Sequence, residues 1–281
     1  MARRLFWLVL TCTAAFAGTP EPKDGIRPDS GAVDRAWAVI DQNLQDGDPE
    51  HRSRAVAALG TVGAIPPVVE RITKALTDDK DVLVRQSAAT SLGEIKAHSA
   101  IPALKTALDD SPEVAFAAAK ALFNMGDTSG RYIFEQVLAG ELKTSPGMVK
   151  GAIRDAKKKL HSPSQLALMG VKEATGAFLG PASIGISVAQ EALKDGGAPG
   201  RIATVDIFEK DPSPESLEAL EGALMDKNAG VRAEAAKALG TRGNRDTIVK
   251  LMPLMVDDKQ LVRVMGSASI IKLHQHFRLR G

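Results

Sequence analysis

The sequence predicts an all-α fold, an α-solenoid of about seven helical hairpins. Three observations predict it. First, aspartates recur at a fixed step: Asp48, Asp79 and Asp110 are 31 residues apart, and so are Asp195, Asp226 and Asp257. Second, a marked position follows each aspartate by six residues. It is Arg54, Arg85, Phe116, Arg201, Arg232 and Arg263, an arginine in all but one. Third, apolar residues follow at helical spacing. Val84, Ala88 and Leu92 fall at i, i+4 and i+8, as do Val231, Ala235 and Leu239, which places each set on one face of an α-helix.

Each unit reads as helix A, a short turn holding the aspartate, then an alanine-rich helix B. The A helices are predicted to begin near 32, 65, 99, 128, 183, 214 and 245. Pro66 and Pro102 sit where a first helical turn tolerates proline, because its missing N–H has no intrahelical partner there. A single hairpin cannot bury its apolar faces, whereas stacked hairpins can. Small side chains on the B helices let neighbouring hairpins approach. Glu141 keeps the step from Asp110, with Gly147 in the arginine's place. The interval from Glu141 to Asp195 then exceeds one period. It accommodates a B helix over 148–160 and an inserted helix near 162–182, introduced by His161-Ser162-Pro163-Ser164.

The chain divides into a signal peptide over 1–17, a linker over 18–31 and the solenoid over 32–281. Arg3 and Arg4 precede an apolar run from Leu5 to Phe16. Ala15-Phe16-Ala17 then offers a small-x-small cleavage site, the order of a secretory signal. The run has about a dozen residues, and a spanning helix needs about 20. Cys12 is not read as a lipoprotein cysteine, because Val9-Leu10-Thr11 does not supply the small residues expected before one. The expectation is an exported chain, periplasmic or secreted, with no integral membrane span after cleavage. Residues 18–31 hold three prolines and three glycines with little apolar content, the composition of a linker.

The repeated text Asp-x5-Arg-x2-Ala-Ala-x2-Leu-Gly resembles the HEAT-like repeats first named for phycobilisome-lyase subunits, over roughly residues 32 to 277. The resemblance implies a right-handed superhelix with A helices convex and B helices concave. It also implies a ladder in which the repeated aspartates and arginines link successive hairpins: Asp48, Arg54, Asp79, Arg85, Asp110, Asp195, Arg201, Asp226, Arg232, Asp257 and Arg263. An aspartate in the turn can accept the first N–H groups of helix B, and a guanidinium can grip it with two parallel bonds.

Composition excludes several functions. Lys and Arg number 36 against 34 Asp and Glu, and loss of Arg3 and Arg4 leaves the two equal. No basic excess invites nucleic acid. The one cysteine lies in the signal segment, which leaves no disulfide and no cysteine nucleophile. The five histidines form no His-Glu-x-x-His or His-Glu pair. His274 and His276, two apart on a helix, point to different faces. Neither a phosphate-binding glycine loop nor a Gly-x-Ser-x-Gly elbow occurs. No catalytic residue, metal or cofactor is predicted. The expected function is a protein-interaction scaffold using the concave face of the B helices, with Gln86, Thr90, Glu234, Lys237, Met265 and Ser269 as candidate contacts to a protein or peptide. Lyase-like action on a protein partner and self-association are the rival readings.

Overall fold

The computed structural model describes residues 28–141, 182–192 and 194–278. Among these residues every regular element is helical. The α-helices are α1 (Pro28–Leu44), α2 (Pro49–Gly60), α3 (Pro66–Asp78), α4 (Val82–Glu94), α5 (Ile101–Thr106), α6 (Pro112–Asn124), α7 (Arg131–Ala139), α8 (Ala182–Ala192), α9 (Ala198–Lys210), α10 (Pro214–Gly222), α11 (Ala229–Arg242), α12 (Arg245–Leu251) and α13 (Gln260–Arg278). The protein is an α-solenoid. Helix α1 begins at Pro28, so the end of the 18–31 segment is helical rather than linker. The signal segment, the helix predicted at 148–160 and the insertion lie outside the described residues, apart from Ala182 at the start of α8.

The A and B helices differ in how they bury. On α3 the buried residues are Val68, Ile72 and Leu76, one stripe facing the core. On α11 they include Ala233, Ala235, Ala236, Ala238 and Leu239, which go round the helix. A helix apolar on all sides is one enclosed on all sides, and α11 is flanked by α9, α10, α13 and α8. Glycine closes the B layer further. A Cβ added to Gly93 of α4 would lie 2.6 Å from Ala121 Cβ of α6, and one on Gly240 of α11 would lie 2.8 Å from Ser269 Cβ of α13. These are the glycines of the Leu-Gly pair in the repeated text. They are required because the next B helix passes where a side chain would be.

The hairpins do not stack in chain order. Helix α9 packs on α11, and α11 on α13. The last helix, α13, then packs chiefly on α1 and less on α2. Helix α2 packs on α4, and α4 on α6. The spatial order of units is therefore five, six, seven, one, two, three. Gln260 Nε2 seals the junction between the last and first units by donating to Asn43 Oδ1 at 3.1 Å and to the His51 carbonyl at 3.2 Å.

Helix α8 corrects the expectation of an A helix near 183. It scarcely pairs with α9. It lies instead across α11 and α2, touching α4 and α13. Arg54 Nε donates to Ser187 Oγ at 2.9 Å, and Asn228 Nδ2 donates to the Glu191 carbonyl at 2.8 Å. Gly230 admits this approach, since a Cβ there would stand 2.9 Å from the Val188 carbonyl oxygen.

Candidate functional site: the rung system and the B-helix face

Each inter-helix turn is organised by its aspartate. Asp79 Oδ1 accepts the Asp81 amide at 2.9 Å, and Asp226 Oδ1 accepts the Asn228 amide at 2.8 Å. In the first, second and sixth units the residue two further on caps helix B. Asp81 accepts the Leu83 amide at 2.8 Å, Asn228 the Gly230 amide at 2.9 Å, and Asp48 the Glu50 amide at 2.8 Å. The cap is thus a separate residue from the rung aspartate. In the first unit this moves the register. Asp48 is the cap, and Asp46 takes the rung position by accepting the Asp48 amide at 2.9 Å.

The arginine ties its own turn to the next. Arg85 Nη1 donates back to the Asp79 carbonyl at 2.9 Å. Its Nε and Nη2 reach forward to Asp110 Oδ2 and Oδ1, both at 2.7 Å. Arg232 repeats this, with Nη1 on the Asp226 carbonyl at 2.9 Å and the other edge on Asp257 at 2.9 and 2.8 Å. Arg201 grips Asp226 at 2.7 and 3.0 Å and Asp195 at 2.7 Å. In the first unit the arginine is Arg52, which grips Asp79 at 2.7 and 2.8 Å. Arg54 is corrected accordingly. It pairs with Glu50 and Ser187 and makes no rung. The Arg85 guanidinium holds the Asp110 carboxyl below its usual range. Burial would raise Asp79, but Arg52 and the Asp81 amide together hold it low.

A second cross-hairpin pair escaped sequence reading. Arg71 of α3 grips Asp41 of α1 at 2.6 and 2.9 Å, and its guanidinium stands 4.4 Å from the Trp37 ring. The spacing of Asp41 and Arg71, close to one period, was the signal available. Tyr132 of α7 is 41% exposed.

The sequence matches the family model described as HEAT repeats over residues 38–123 and 186–268. The chain is a HEAT-repeat protein. A similar solved structure is human deoxyhypusine hydroxylase in complex with glycerol, at 20% identity and a TM-score of 0.31, covering 88% of this chain and 98% of that one. No curated protein matches the chain.

The HEAT repeats bring the six predicted contact residues to unlike places. Gln86 and Thr90 are half-buried on α4 and share a face with Leu83 and Glu94, at helical spacing. Glu234, Met265 and Ser269 are buried, which corrects their expected exposure. Ser269 faces Gly240, and Met265 lies within α13 where that helix is enclosed by α11 and α1. Glu234 is covered and ion-pairs with Lys237. Around that pair the HEAT repeats gather further charge. Asp206 of α9 is pushed up to about 6, first by burial and then by the Glu234 carboxylate. Burial pushes Lys272 of α13 down. Among the described residues, no group of three or more His, Cys, Asp and Glu side chains is placed to hold a metal ion. No described helix is long and apolar enough to cross a membrane.

Proposed function

We propose that this HEAT-repeat protein is a non-enzymatic scaffold that binds a protein or peptide on the exposed row of α4 and α6, and that it works in the cell envelope or outside the cell. The observation that carries the reading is a mixed row on those helices. Leu83 is 41% exposed and Phe123 is 62% exposed. Leu83, Gln86 and Thr90 lie at i, i+3 and i+7 on one helix, and Phe116, Lys120 and Phe123 at i, i+4 and i+7 on the next. Exposed apolar side chains set among polar ones are what a protein partner covers. The charged side chains that reach each other, Arg85 with Asp110 or Arg232 with Asp257, are spent on joining repeats, which favours architecture over chemistry. Export is supported by the order of Arg3-Arg4, apolar run and Ala15-Phe16-Ala17.

The test is affinity capture from the native envelope fraction, with the wild type beside a Leu83→Asp, Gln86→Arg, Phe123→Asp variant. A partner held by the first and lost by the second is the expected result. Equal capture by both contradicts the face. N-terminal sequencing of the mature protein is expected to begin at Gly18, and an unprocessed N-terminus contradicts export.

A further inference from the structure

Arg263 occupies the rung position of the last repeat, and its rung is half made. Its Nη1 donates to the Asp257 carbonyl at 2.8 Å and the Asp258 carbonyl at 3.3 Å, the backward half seen in Arg85 and Arg232. Its forward edge, Nε and Nη2, has no partner among the described residues. The unit next in space is the first one, whose rung aspartate is Asp46. That carboxylate is taken by His51 Nδ1 at 3.1 Å and by the Asp48 amide. Because α13 packs chiefly on α1 rather than on α2, Asp46 and Arg263 do not meet.

A cleft of about 300 Å³ lies there instead, lined by His51 and Arg54 of α2, Ser187 and Glu191 of α8, and Lys259 and Arg263 at the head of α13. Its other charges are already matched. Arg54 pairs with Glu50 at 2.9 Å, Lys259 with Asp258 at 3.1 Å, and Glu191 with Lys194 at 2.5 Å. Arg263 is the one guanidinium or ammonium of this cleft, among the described residues, without a carboxylate. A guanidinium fork fits a carboxylate with two parallel bonds.

We propose that this cleft binds a carboxylate from outside the solenoid, completing the Arg263 rung. The ligand class follows from the other rungs, where the same edge of the same residue type grips a carboxylate. A dianionic phosphate suits the cleft less, because Glu191 and Asp258 already border it and only one cation is unmatched. The site is separate from the α4–α6 row, so its failure would leave that reading untouched.

The test is an NMR titration of the full mature chain, following arginine Nε–Hε signals, with Arg263 assigned by Arg263→Lys. The probes are N-acetyl-aspartate amide, N-acetyl-alanine and inorganic phosphate. Saturable movement of the Arg263 signal by either carboxylate is expected, and which one binds more tightly tells a side chain from a chain terminus. Arg263→Lys, which keeps charge without the fork, is expected to weaken binding at least about tenfold, read from the amide signals of His51 and Gln260. Tighter binding of phosphate, no saturable movement, or undiminished affinity in the folded Lys variant would each overturn the proposal.

Discussion

Arg85 spans 25 residues of sequence to close two parallel bonds on Asp110, while the third arm of the same guanidinium holds the carbonyl of Asp79. One side chain therefore fixes two successive turns. It is the covalent reach of arginine, with five donors in a rigid plane, that makes this possible. The stacking of these hairpins is set by apolar burial, and their register by such rungs.

The least exposed rung is Arg52 with Asp79, whose side chains are 7% and 12% exposed. Asp79→Ala leaves a covered guanidinium unpaired and is expected to cost about 2–4 kcal/mol. Asp48→Ala removes a helix cap and a 3.9 Å contact with His51 and is expected to cost about 1 kcal/mol. Denaturant unfolding of both variants checks the order. Equal losses contradict the assignment of Asp48 as cap and Asp79 as rung.

Glycine in the B helices is a packing requirement. Gly93→Ala drives a methyl into Ala121 and is expected to destabilise by about 1–3 kcal/mol, although alanine is the better helix former. Gly222, at the end of α10, has nothing within 4 Å of an added Cβ. Gly222→Ala is expected to stabilise by up to about 1 kcal/mol. Thermal melts of the pair should move in opposite directions.

Asp206 makes stability depend on pH. Its carboxyl is raised from 3.8 to about 6 by burial, with Glu234 and Glu209 adding to the rise and Lys237 and Lys210 opposing it. Between pH 4 and 6 the unfolded chain releases this proton while the folded chain keeps it, so stability falls as pH rises through that window. Above pH 6 the cost is constant. A shift of that size is worth at most about 3 kcal/mol, and partial exposure reduces it to about 1 kcal/mol. Asp206→Asn is expected to stabilise by that amount at pH 7 and to be neutral at pH 4. A gain equal at both pH values contradicts the account. The rung carboxylates act in the opposite sense. Asp110 is depressed by Arg85, so its contribution is present above the ordinary aspartate range and is lost as pH falls through the folded value.

Asn228 ties helix α8 to α11 through the Glu191 carbonyl. Asn228→Asp keeps the cap on α11 but removes the donor to the Glu191 carbonyl. Faster amide exchange over 187–192 is expected, with exchange in 231–239 unchanged. Loss of protection in α11 itself would mean that the cap, rather than the α8 contact, had been lost.

Much of this was legible in the sequence, and the failures have physical causes. Repetition of aspartate and arginine located the hairpins, because each unit solves the same problem with the same residues. The first unit was misread by two positions. Asp46 and Asp48, like Arg52 and Arg54, alternate along the chain, and a strict step of 31 picks the cap and its neighbour instead of the rung. Ser269 and Met265 looked exposed on a helix considered alone. Gly240 was the signal that another helix stands against α11, but nothing local says which one. The stacking order has no local signal at all, since the contact of α13 with α1 joins residues more than 200 positions apart, as Gln260 with Asn43. Likewise, α8 carries the pattern of an A helix, and only tertiary packing moved it across the B layer.

The order of the stack is the claim on which the junction, the cleft and the half-made rung all depend. Arg35 Nη2 and Met252 Sδ stand 4.0 Å apart across that junction. Spin labels at Arg35→Cys and Met252→Cys of the mature chain report it directly by pulsed electron paramagnetic resonance. A stack ordered five, six, seven, one, two, three predicts a narrow distribution below about 25 Å, since neighbouring helices pack about 10 Å apart. A stack that followed the chain would separate the first and last hairpins by about 50 Å or more, and a distribution centred there would contradict the account.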